Sequence, residues 1–518
     1  MTAIVSVEEM RAAEVAAVAS GIAESELMLR AAGQIAGWID RHVSRSRQRR
    51  AVALVGPGNN GDDALVALAL LHERGWSCAS VFFGRTAAGL LPASSELLSA
   101  IEVGGLDTLG TADVVIDGVY GIGGRPSVPK QVAHAFDAAL AERRARGTPL
   151  VAIDVPSGID ATTGEACEGA FQADVTLCLG FVKRGLVREP AATFAGDIEL
   201  LSLGLPAPET STAEQLITTA DVRRALPRRQ ASAHKYDSGT ALIIAGASMY
   251  YGAPRLAAEA ALRAGAGLVA LATPSNLVPV IAGQVPEAVF VALSDDAEDA
   301  AFAVQSFIES RSSTLRSIVI GPGIGRGPVA NAMMNVIYQA GALRSVWAAA
   351  SPPGVVIDAD ALNWLSANPG WHANLLPRSV ILTPHAGEMS RLTGLARAEI
   401  IASPHDLARQ FAVEWQQHVV LKAGVTSVAT PDGGVWVAPR ATPELATAGT
   451  GDVLAGLIGG LLAQGLSHLN ACTCGLWIGA MAGRASRRKQ AAVSVVARDV
   501  IEHIGRVVNS ATGATWNE

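Results

Sequence analysis

The chain of 518 residues is 50% hydrophobic and 17% charged, so it can bury large cores, its length predicts more than one domain, and disorder is not expected. Its formal net charge of −7 argues against nucleic acid or an anionic membrane as a general partner. Five cysteines without a CxxC spacing predict neither a disulfide framework nor a zinc ribbon, and they fit a reducing cytoplasm.

The N-terminus has no basic start and no long apolar core, so no secretory signal is expected. Beyond it, short apolar runs bounded by glycine recur along the chain. They are continuous rather than alternating, which is typical of strands covered on both faces, and Ala-rich helical segments such as 63–74 and 253–264 lie between them. This alternation predicts an α/β fold with largely parallel sheets. The predicted strands are 51–55, 114–117, 150–154, 175–179, 241–245, 318–320, 355–358, 380–383 and 419–423.

A boundary between two domains is predicted around residues 203–232. The segment Leu203-Gly204-Leu205-Pro206 ends one apolar pattern, and a new strand–glycine–helix unit starts after His234-Lys235. The sequence therefore predicts one domain at 1–210 and a second at 220–512, and each length is ordinary for a single domain.

The loop after the strand at 51–55 carries the first candidate site. Its sequence, Gly56-Pro57-Gly58-Asn59-Asn60-Gly61, matches GxGxxG and raises a Rossmann dinucleotide site as one interpretation. The paired asparagines and the following Asp62-Asp63 argue against it, because carboxylates repel a pyrophosphate. Amide and carboxylate oxygens instead suit a hydroxylated ligand or a hard cation.

Two further strand ends in this half carry similar chemistry. One is the segment 116–124, which contains Asp117, and the other is the segment 153–160, which contains Asp154 and Ser157. Ligands of open parallel sheets bind at the carboxyl ends of the strands, so the three loops predict one shared site. The alternative is that each Asp only caps the next helix or turn.

These segments resemble the N-terminal domain of the YjeF family, the NAD(P)H-hydrate epimerase, over most of residues 5–205, and Val182-Lys183-Arg184-Gly185-Leu186 matches a further motif of that domain. The resemblance implies a Rossmann-like parallel-sheet sandwich that binds hydrated NAD(P)H, with Asp154 as the acid/base. It also implies K⁺ held by Asn59, Asp117 and Ser157. The implied substrate contacts are Asn59, Asn60, Gly61, Asp62, Asp63, Gly121, Ile122, Gly123, Gly124 and Asp154.

The chain departs from the family pattern at two positions of the asparagine loop. Asp62 and Ala64 stand where the family usually has glycine, and Asp62 adds a side chain and charge beside the ligand. This departure puts the efficiency of the first half in question more than its fold. Lys183 is either a phosphate or substrate contact or a solvated lysine.

The second half also places polar residues at the ends of apolar strands. Taken singly, His385, Glu388 and Lys422 could be a structural histidine, a helix cap and a surface lysine. Because each stands at the end of a predicted strand, together they supply a cation that can bind phosphate and further charged groups beside glycine loops. Phosphoryl transfer needs such groups. The segments concerned are 317–325, 355–362, 381–389 and 420–426.

The segment Ala448-Gly449-Thr450-Gly451-Asp452 completes this set. It predicts a glycine-rich turn before a buried helix, whose first N–H groups and dipole favour an anion. Asp452 belongs there if it takes a proton from a hydroxyl that attacks phosphorus, although an Asp that caps the helix is the simpler alternative. The sequence contains no GxxxxGK[ST] motif, so a P-loop enzyme is excluded.

This half resembles the ribokinase-like fold, and more closely the ADP/ATP-dependent NAD(P)H-hydrate dehydratase, over roughly residues 225–505. The resemblance implies Asp452 as the catalytic base, Mg²⁺ as a cofactor and ADP as co-substrate. Departures lie at Tyr236, which follows His234-Lys235 where glycine is usual, and at Ala245. Implied substrate contacts are Ala253, Gly323, His385 and Asp452; implied nucleotide contacts are Lys422, Ala423, Gly424, Val425, Thr426, Gly449, Thr450 and Gly451.

Together the two resemblances imply a cytoplasmic bifunctional enzyme that epimerises hydrated NAD(P)H and dehydrates the S epimer, and a homo-oligomer is expected. The alternative is a ribokinase-like small-molecule kinase with a non-catalytic N-terminal ligand-binding module. Residues 453–483 carry no Lys, Arg, Asp or Glu, but polar residues at 464–470 interrupt them. Two buried helices joined by a turn are therefore predicted rather than a membrane span.

Overall fold

The computed structural model describes residues 2–43, 49–85, 101–124, 127–208, 214–229, 232, 234, 237–338, 352–440, 442–487 and 490–513. Lys235 and Tyr236, which the sequence analysis singled out, lie outside these residues. The chain divides into two compact units. The N-terminal unit comprises Thr2–Leu216 and Pro439–Ala441, and the C-terminal unit comprises Ile217–Ala438 and Thr442–Glu518.

The N-terminal unit alternates strands and helices. Its strands are β1 Thr2–Val5, β2 Arg50–Val55, β3 Ser77–Phe82, β4 Glu102–Val103, β5 Val114–Gly118, β6 Leu150–Ile153, β7 Val175–Leu179, β8 Val182–Lys183, β9 Asp197–Leu201 and β10 Glu214–Leu216. Its helices are α1 Val7–Ala19, α2 Glu24–His42, α3 Asn59–Glu73, α4 Lys130–Arg146 and α5 Ala191–Ala195.

Seven of these strands form a parallel sheet in the order β4-β3-β2-β5-β6-β7-β9. Alternate residues of each strand face opposite layers: Ala53 packs into a core with Leu68 of α3, whereas Leu54 packs into a core with Phe136 of α4. Both faces are therefore covered by helices, which explains why the strands read as continuous apolar runs. Separately, β1 pairs in parallel with β8 and antiparallel with β10.

The C-terminal unit has the same alternation. Its strands are β11 Thr240–Ile244, β12 Leu268–Pro274, β13 Val289–Leu293, β14 Leu315–Ile320, β15 Gly354–Ile357, β16 Val380–Leu382, β17 His418–Leu421, β18 Ser427–Ala429 and β19 Val435–Val437. Its helices are α6 Thr219–Ala225, α7 Gly252–Ala264, α8 Val278–Ala282, α9 Ala297–Ser310, α10 Pro328–Tyr338, α11 Ala359–Ser366, α12 Ala386–Thr393, α13 Arg397–Ala402, α14 Pro404–Trp415, α15 Thr450–Ala463, α16 His468–Ser486 and α17 Ala497–Thr512.

The C-terminal sheet runs in the order β13-β12-β11-β14-β15-β16-β17-β18-β19. All neighbouring strands from β13 to β17 in this sheet order are parallel, β11 and β12 included. Strands β17, β18 and β19 form an antiparallel edge. The predicted α/β class with largely parallel sheets is thus confirmed. Each of the nine predicted runs forms a strand, and five of them leave the sheet one or two residues earlier than predicted, where the chain turns into the loops at the strand ends.

The uncharged stretch near the C-terminus forms two buried helices, α15 and α16, as predicted. Gly456 and Gly460 of α15 lie against the backbone of α7: a Cβ at Gly456 would be 2.1 Å from the carbonyl oxygen of Ala257, and one at Gly460 would be 2.5 Å from that of Ala261. The small residues therefore serve close helix packing. Among the residues described, no helix is both long enough and apolar enough to cross a bilayer.

One element begins earlier than its sequence predicts. Helix α3 starts at Asn59 rather than near Asp63, so the asparagine pair forms its first turn instead of a loop. Gly58 precedes it in an extended conformation, and a Cβ at Gly61 would be 2.2 Å from the carbonyl oxygen of Gly56. Glycine at position 61 therefore lets the helix begin directly against the end of the strand.

Replacing Gly456 with alanine tests the packing of α15 on α7. The added methyl has no room beside the Ala257 backbone, so we expect a loss of about 1–3 kcal/mol in the free energy of unfolding, measured with urea. Gly479→Ala in α16 is the matched control, because a Cβ there meets nothing within 4 Å. Equal stability of the two variants would contradict the packing assignment.

Candidate active sites

The C-terminal candidate site lies at the carboxyl ends of the adjacent parallel strands β14 to β17. Asp358 is the first residue after β15, His385 is the third residue after β16, and Lys422 is the first residue after β17. The backbone of this edge is held together by a hydrogen bond from the Lys422 N–H to the Pro384 carbonyl, 2.8 Å. The fold thus brings the predicted polar residues of separate segments to one edge of the sheet.

Lys422 is enclosed by carboxylates. Its ammonium nitrogen lies 2.8 Å from Asp358 Oδ1 and 4.0 Å from Glu388 Oε2, and the Thr383 hydroxyl donates to the same Asp358 oxygen at 2.7 Å. Burial alone would lower the pKa of Lys422, but Asp358 and Glu388 outweigh it and raise that pKa. Lys422 is therefore a fixed cation of the site and not a solvated surface lysine.

Asp452 lies in the first turn of α15, beside this cation. Burial first, and then the nearby charge of Asp358, raise the pKa of Asp452 to about 7, while Lys422 opposes the shift. The adjacent Gly451 keeps this region open, because a Cβ there would lie 3.5 Å from the Lys422 ammonium. A carboxyl group that titrates near neutral pH beside a fixed cation is suited to accept a proton.

The helix that follows β16 is capped by the two residues that sequence analysis singled out. The His385 N–H donates to Glu388 Oε2 at 2.8 Å, and His385 Nδ1 accepts from the N–H groups of Gly387 and Glu388 at 2.9 and 3.3 Å. Nδ1 is thus an acceptor, and the neutral ring carries its proton on Nε2. Burial and Lys422 lower the pKa of His385, whereas burial raises that of Glu388 to about 7.

The capping alternative for His385 and Glu388 therefore holds, and the same two residues also line the charged cluster around Lys422. The His385 side chain is half-exposed, and its Nε2, which carries the ring proton because the bonds at Nδ1 fix the tautomer, lies 3.5 Å from Glu388 Oε1. A neutral histidine that donates a proton-bearing nitrogen suits contact with a polar substrate group.

Gly323 and Ala253, two of the implied substrate contacts, lie next to each other. Gly323 has a left-handed φ of +58°, and a Cβ there would be 2.5 Å from Tyr250 Cβ and 3.1 Å from Ala253 Cβ. The loop continues to Gly325, whose N–H donates to Asp360 Oδ2 at 3.0 Å. Asp360 thereby fixes the glycine loop to the start of α11.

The residues implied for nucleotide contact form two loops. Residues 422–426 connect β17 to β18, and Val425 among them is buried. Gly449 precedes α15 at φ +89°, and no described side chain caps that helix. The Thr450 hydroxyl donates to the carbonyls of Leu445 and Thr447 and stabilises the loop. The first turn of α15 therefore keeps N–H groups without a capping side chain, and such groups favour an anion.

The N-terminal candidate site lies at the carboxyl ends of β2, β5 and β6. Asp63 is buried near the start of α3, and burial raises its pKa to about 8, with Asp154 and Asp62 adding to the shift. Asn60 faces the loop after β5: a Cβ at Gly121 would lie 3.3 Å from Asn60 Oδ1. The Asn60 side-chain nitrogen is buried and has no hydrogen-bond partner among the described residues, so it is a donor that a ligand can use.

Asp117 and Ser157, two of the three residues implied for K⁺, are in direct contact. The Ser157 hydroxyl donates to Asp117 Oδ1 at 2.7 Å, and the Ser157 N–H donates to Asp117 Oδ2 at 2.8 Å. Asp117 is completely buried, and within the described part of the chain no cationic side chain pairs with it; burial raises its pKa to about 6. Asn59 is exposed in the same region.

Asp154 follows β6, and its carboxylate contacts the Lys183 ammonium. Lys183 is completely buried, so the interpretation of this residue as a solvated lysine is wrong. The sequence contains no signal for this burial, because a single lysine in a strand as short as β8 is usually a surface residue.

The two departures from the family pattern are both accommodated locally. Arg85 lies 2.8 Å from Asp62 Oδ1 and also donates to the Gly56 carbonyl, so the added negative charge is paired. The methyl of Ala64 packs against Gly118, where a Cβ would be 2.5 Å away. Sequence reasoning missed Arg85 because it lies 23 residues from Asp62 in a different strand–loop segment.

Two family models match the chain. One, described as NAD(P)H-hydrate dehydratase, matches residues 241–506, and the other, described as YjeF-related protein N-terminus, matches residues 24–185. The bifunctional NAD(P)H-hydrate repair enzyme Nnr of Thermosynechococcus vestitus is 32% identical over 97% of this chain and 96% of its own length. This chain belongs to the bifunctional NAD(P)H-hydrate repair enzyme family.

Other relatives in this family also match the chain over most of its length. The repair enzyme Nnr of Moorella thermoacetica is 33% identical over 93% of this chain and 92% of its own length, and that of Coxiella burnetii is 32% identical over 98% and 100%. Among solved structures, the ADP/ATP-dependent NAD(P)H-hydrate dehydratase of Bacillus subtilis is 27% identical, with a TM-score of 0.47 over 57% of this chain and 98% of its own.

The ion pair of Asp62 and Arg85 can be tested by a double-mutant cycle. Arg85→Met leaves a mostly buried carboxylate unpaired, so we expect a loss of about 1–3 kcal/mol in unfolding free energy, measured with urea. The same change in an Asp62→Gly background should have no such effect. An equal loss of unfolding free energy in both backgrounds would show that the two side chains do not interact energetically.

Proposed function

We propose that the chain repairs hydrated NAD(P)H in two steps, epimerising the R and S forms in the N-terminal unit and dehydrating the S form to NAD(P)H in the C-terminal unit with ADP. The observation that carries the proposal is Asp452, a carboxyl group with a pKa near 7 beside the Lys422 cation at the N-terminus of α15. Family membership over nearly the full length of the chain supports both steps.

In the dehydration step, Asp452 takes the proton of the substrate hydroxyl at C6. The freed oxygen attacks the terminal phosphorus of ADP, and AMP leaves with the electrons of the broken P–O bond. Phosphate then departs with the C6–O electrons while the ring nitrogen lone pair forms a C=N bond. Loss of a C5 proton moves its electron pair into a C5–C6 double bond, neutralises the nitrogen and gives NAD(P)H, AMP, phosphate and one net proton.

The charges around Asp452 suit this step. Lys422 and the N–H groups at Gly449–Gly451 stabilise the negative charge that develops on the transferred phosphoryl group. Asp358 holds the Lys422 ammonium in place through their 2.8 Å contact. His385 Nε2 and the loop at Gly323 orient the substrate, so that only one C6 epimer presents its hydroxyl to Asp452.

In the epimerisation step, Asp154 is the acid/base. C6 carries both the hydroxyl and the ring nitrogen, so removal of the hydroxyl proton forms a C6 carbonyl as the C6–N1 bond breaks and its electron pair moves to N1, which gains a proton. Closure on the other face, with each proton returned, gives the opposite epimer without loss of any atom. Asp63 supports this chemistry as a proton donor, because burial keeps it largely protonated at neutral pH.

Two cations fit the sites. K⁺ would be held by Asp117 and Ser157 with Asn59, and it would neutralise a buried carboxylate that lacks a cationic partner within the described residues. No group of three or more His, Cys, Asp or Glu side chains among the residues described could hold a metal by itself. Mg²⁺ bound chiefly by nucleotide phosphates needs only one or two carboxylates, which Asp358 and Glu388 would provide.

We assign residues 1–210 to the epimerase domain and 220–512 to the dehydratase domain, and we propose that the enzyme acts in the cytoplasm as a homo-oligomer. The use of ADP rather than ATP follows the bacterial members that the sequence resembles. The free thiols of the five cysteines, Cys78, Cys167, Cys178, Cys472 and Cys474, are consistent with a reducing compartment.

Incubation of the purified chain with hydrated NADH tests the function. With ADP or ATP, both epimers should disappear, with free phosphate and rising absorbance of reduced nicotinamide. Asp452→Asn should lower dehydration by about 10²–10⁴-fold or more, since the base is lost, yet leave epimer exchange intact. Asp295→Asn, at an exposed carboxylate, is the matched control. A stable phosphorylated product would instead indicate a small-molecule kinase.

The pH dependence of dehydration tests the base assignment. Because Asp452 must be deprotonated to act and its pKa is about 7, kcat/KM for the S epimer should fall about tenfold per pH unit below pH 7 and level off above it. Glu388 has a similar pKa, so Glu388→Gln separates the two: the acidic limb should persist in that variant. A limb near pH 4 in the unmodified chain would contradict the assignment.

A further inference from the structure

Lys183 is a completely buried lysine whose ammonium contacts two groups. It donates to Asp154 Oδ1 and to the carbonyl oxygen of Leu179, the latter at 2.8 Å. An ammonium ion costs several kcal/mol to remove from water unless a counter-charge and hydrogen bonds replace its hydration. Asp154 is the carboxylate in contact with it, so the two residues form a single buried ion pair.

The carboxylate of Asp154 is held asymmetrically. Oδ1 accepts from Lys183 and also from the Leu179 N–H at 3.0 Å, whereas no described residue donates to Oδ2. The backbone of Asp154 has a left-handed φ of +64°, which is rare for a residue with a Cβ, and its N–H donates to the Leu177 carbonyl at 2.9 Å. A strained residue fixed by several bonds at a strand end is typical of a functional position.

Other titratable groups face this pair from each neighbouring element. They are Glu14 on α1, Asp63 on α3 and Cys178 on β7, whose thiol donates to the Asp154 carbonyl at 3.6 Å. Burial raises the pKa of all three; Lys183 opposes the rise at Glu14 and Cys178, and Asp154 adds to it at all three. Burial thus disfavours the charged form of each surrounding group, and Lys183 provides the positive charge.

We propose that Lys183 is a positioning residue that supplies the counter-charge of Asp154 and fixes its Oδ1, so that Oδ2 is the oxygen that exchanges a proton with the substrate hydroxyl. The proposal rests on the proposed epimerase role of the N-terminal unit. It replaces a direct contact between Lys183 and a substrate phosphate, because the whole lysine side chain is enclosed and both of its contacts are internal.

The Lys183→Met substitution, which removes the cation, tests this role. Without Lys183 the buried carboxylate loses its counter-charge, and burial then favours the protonated acid. Epimerisation by Lys183→Met should fall at pH 7, mainly in kcat, and the pH of half-maximal rate should rise above 7; a fall of about 100-fold at pH 7 corresponds to a half-maximal rate at about pH 9. Part of the activity should therefore return at high pH, which loss of structure alone would not produce.

The experiment uses the full chain and follows exchange of the two C6 epimers between pH 5 and 10 without nucleotide. Dehydration of the S epimer with ADP, measured on the same preparations, reports the intact C-terminal unit and should stay unchanged, whereas return of epimerisation at high pH reports that the N-terminal unit is folded. Lys130→Met, at an exposed lysine, is the matched control. Lys183→Arg keeps a positive charge and should keep the wild-type pH of half-maximal rate even if its rate is lower.

Two outcomes would overturn the proposal. One is a Lys183→Met variant with the wild-type rate and pH profile, and the other is an equal loss of rate at every pH in both Lys183 variants, which indicates a purely structural lysine. If the unmodified chain does not interconvert the epimers at all, the proposed epimerase function fails instead. The wild-type measurement therefore separates the two failures.

Discussion

The positive charge of Lys422 holds together the carboxylates on which the C-terminal site depends. Without it, Asp358, Glu388 and Asp452 would repel one another in a partly buried space, where burial already raises the pKa of Glu388 and of Asp452. With it, Asp358 is bound directly, and Lys422 opposes the rise in the pKa of Asp452. The N-terminal site repeats the arrangement, since Lys183 is bound to the carboxylate of Asp154. In both units, a lysine at the carboxyl end of a parallel sheet lies against a carboxylate of the candidate site.

A second constraint is the close approach of backbone segments around these charges. Gly321 has a φ of +126°, and a Cβ there would lie 1.8 Å from the Asp358 carbonyl, so the loop after β14 passes directly over the start of α11. In the N-terminal unit, a Cβ at Gly56 would lie 1.9 Å from the Val119 carbonyl. Glycine at these positions lets loops from separate strands meet through backbone contact rather than side-chain bulk.

The departures at Asp62 and Ala64 are accommodated by residues outside the motif itself. Sequence alone identified both positions and raised the question of charge beside the ligand, but the answer lies in Arg85 and Gly118, which are distant in the chain. Likewise, His385 and Glu388 cap a helix, and the same Glu388 carboxylate lies 4.0 Å from the Lys422 ammonium, so capping does not remove it from the candidate site. Competing interpretations of one residue need not exclude each other at a strand end.

The sequence by itself determined the α/β class, the strands, the buried pair of C-terminal helices and the family, because apolar periodicity and glycine-bearing motifs are local signals. It also marked Asp452 and Asp154 as the acid/base residues of the proposed function. Only the tertiary structure decided which charges meet: the enclosure of Lys422 and Lys183, and the pairing of Asp62 with Arg85. Burial and through-space pairing depend on segments brought together by the sheet, and no spacing along the chain encodes them.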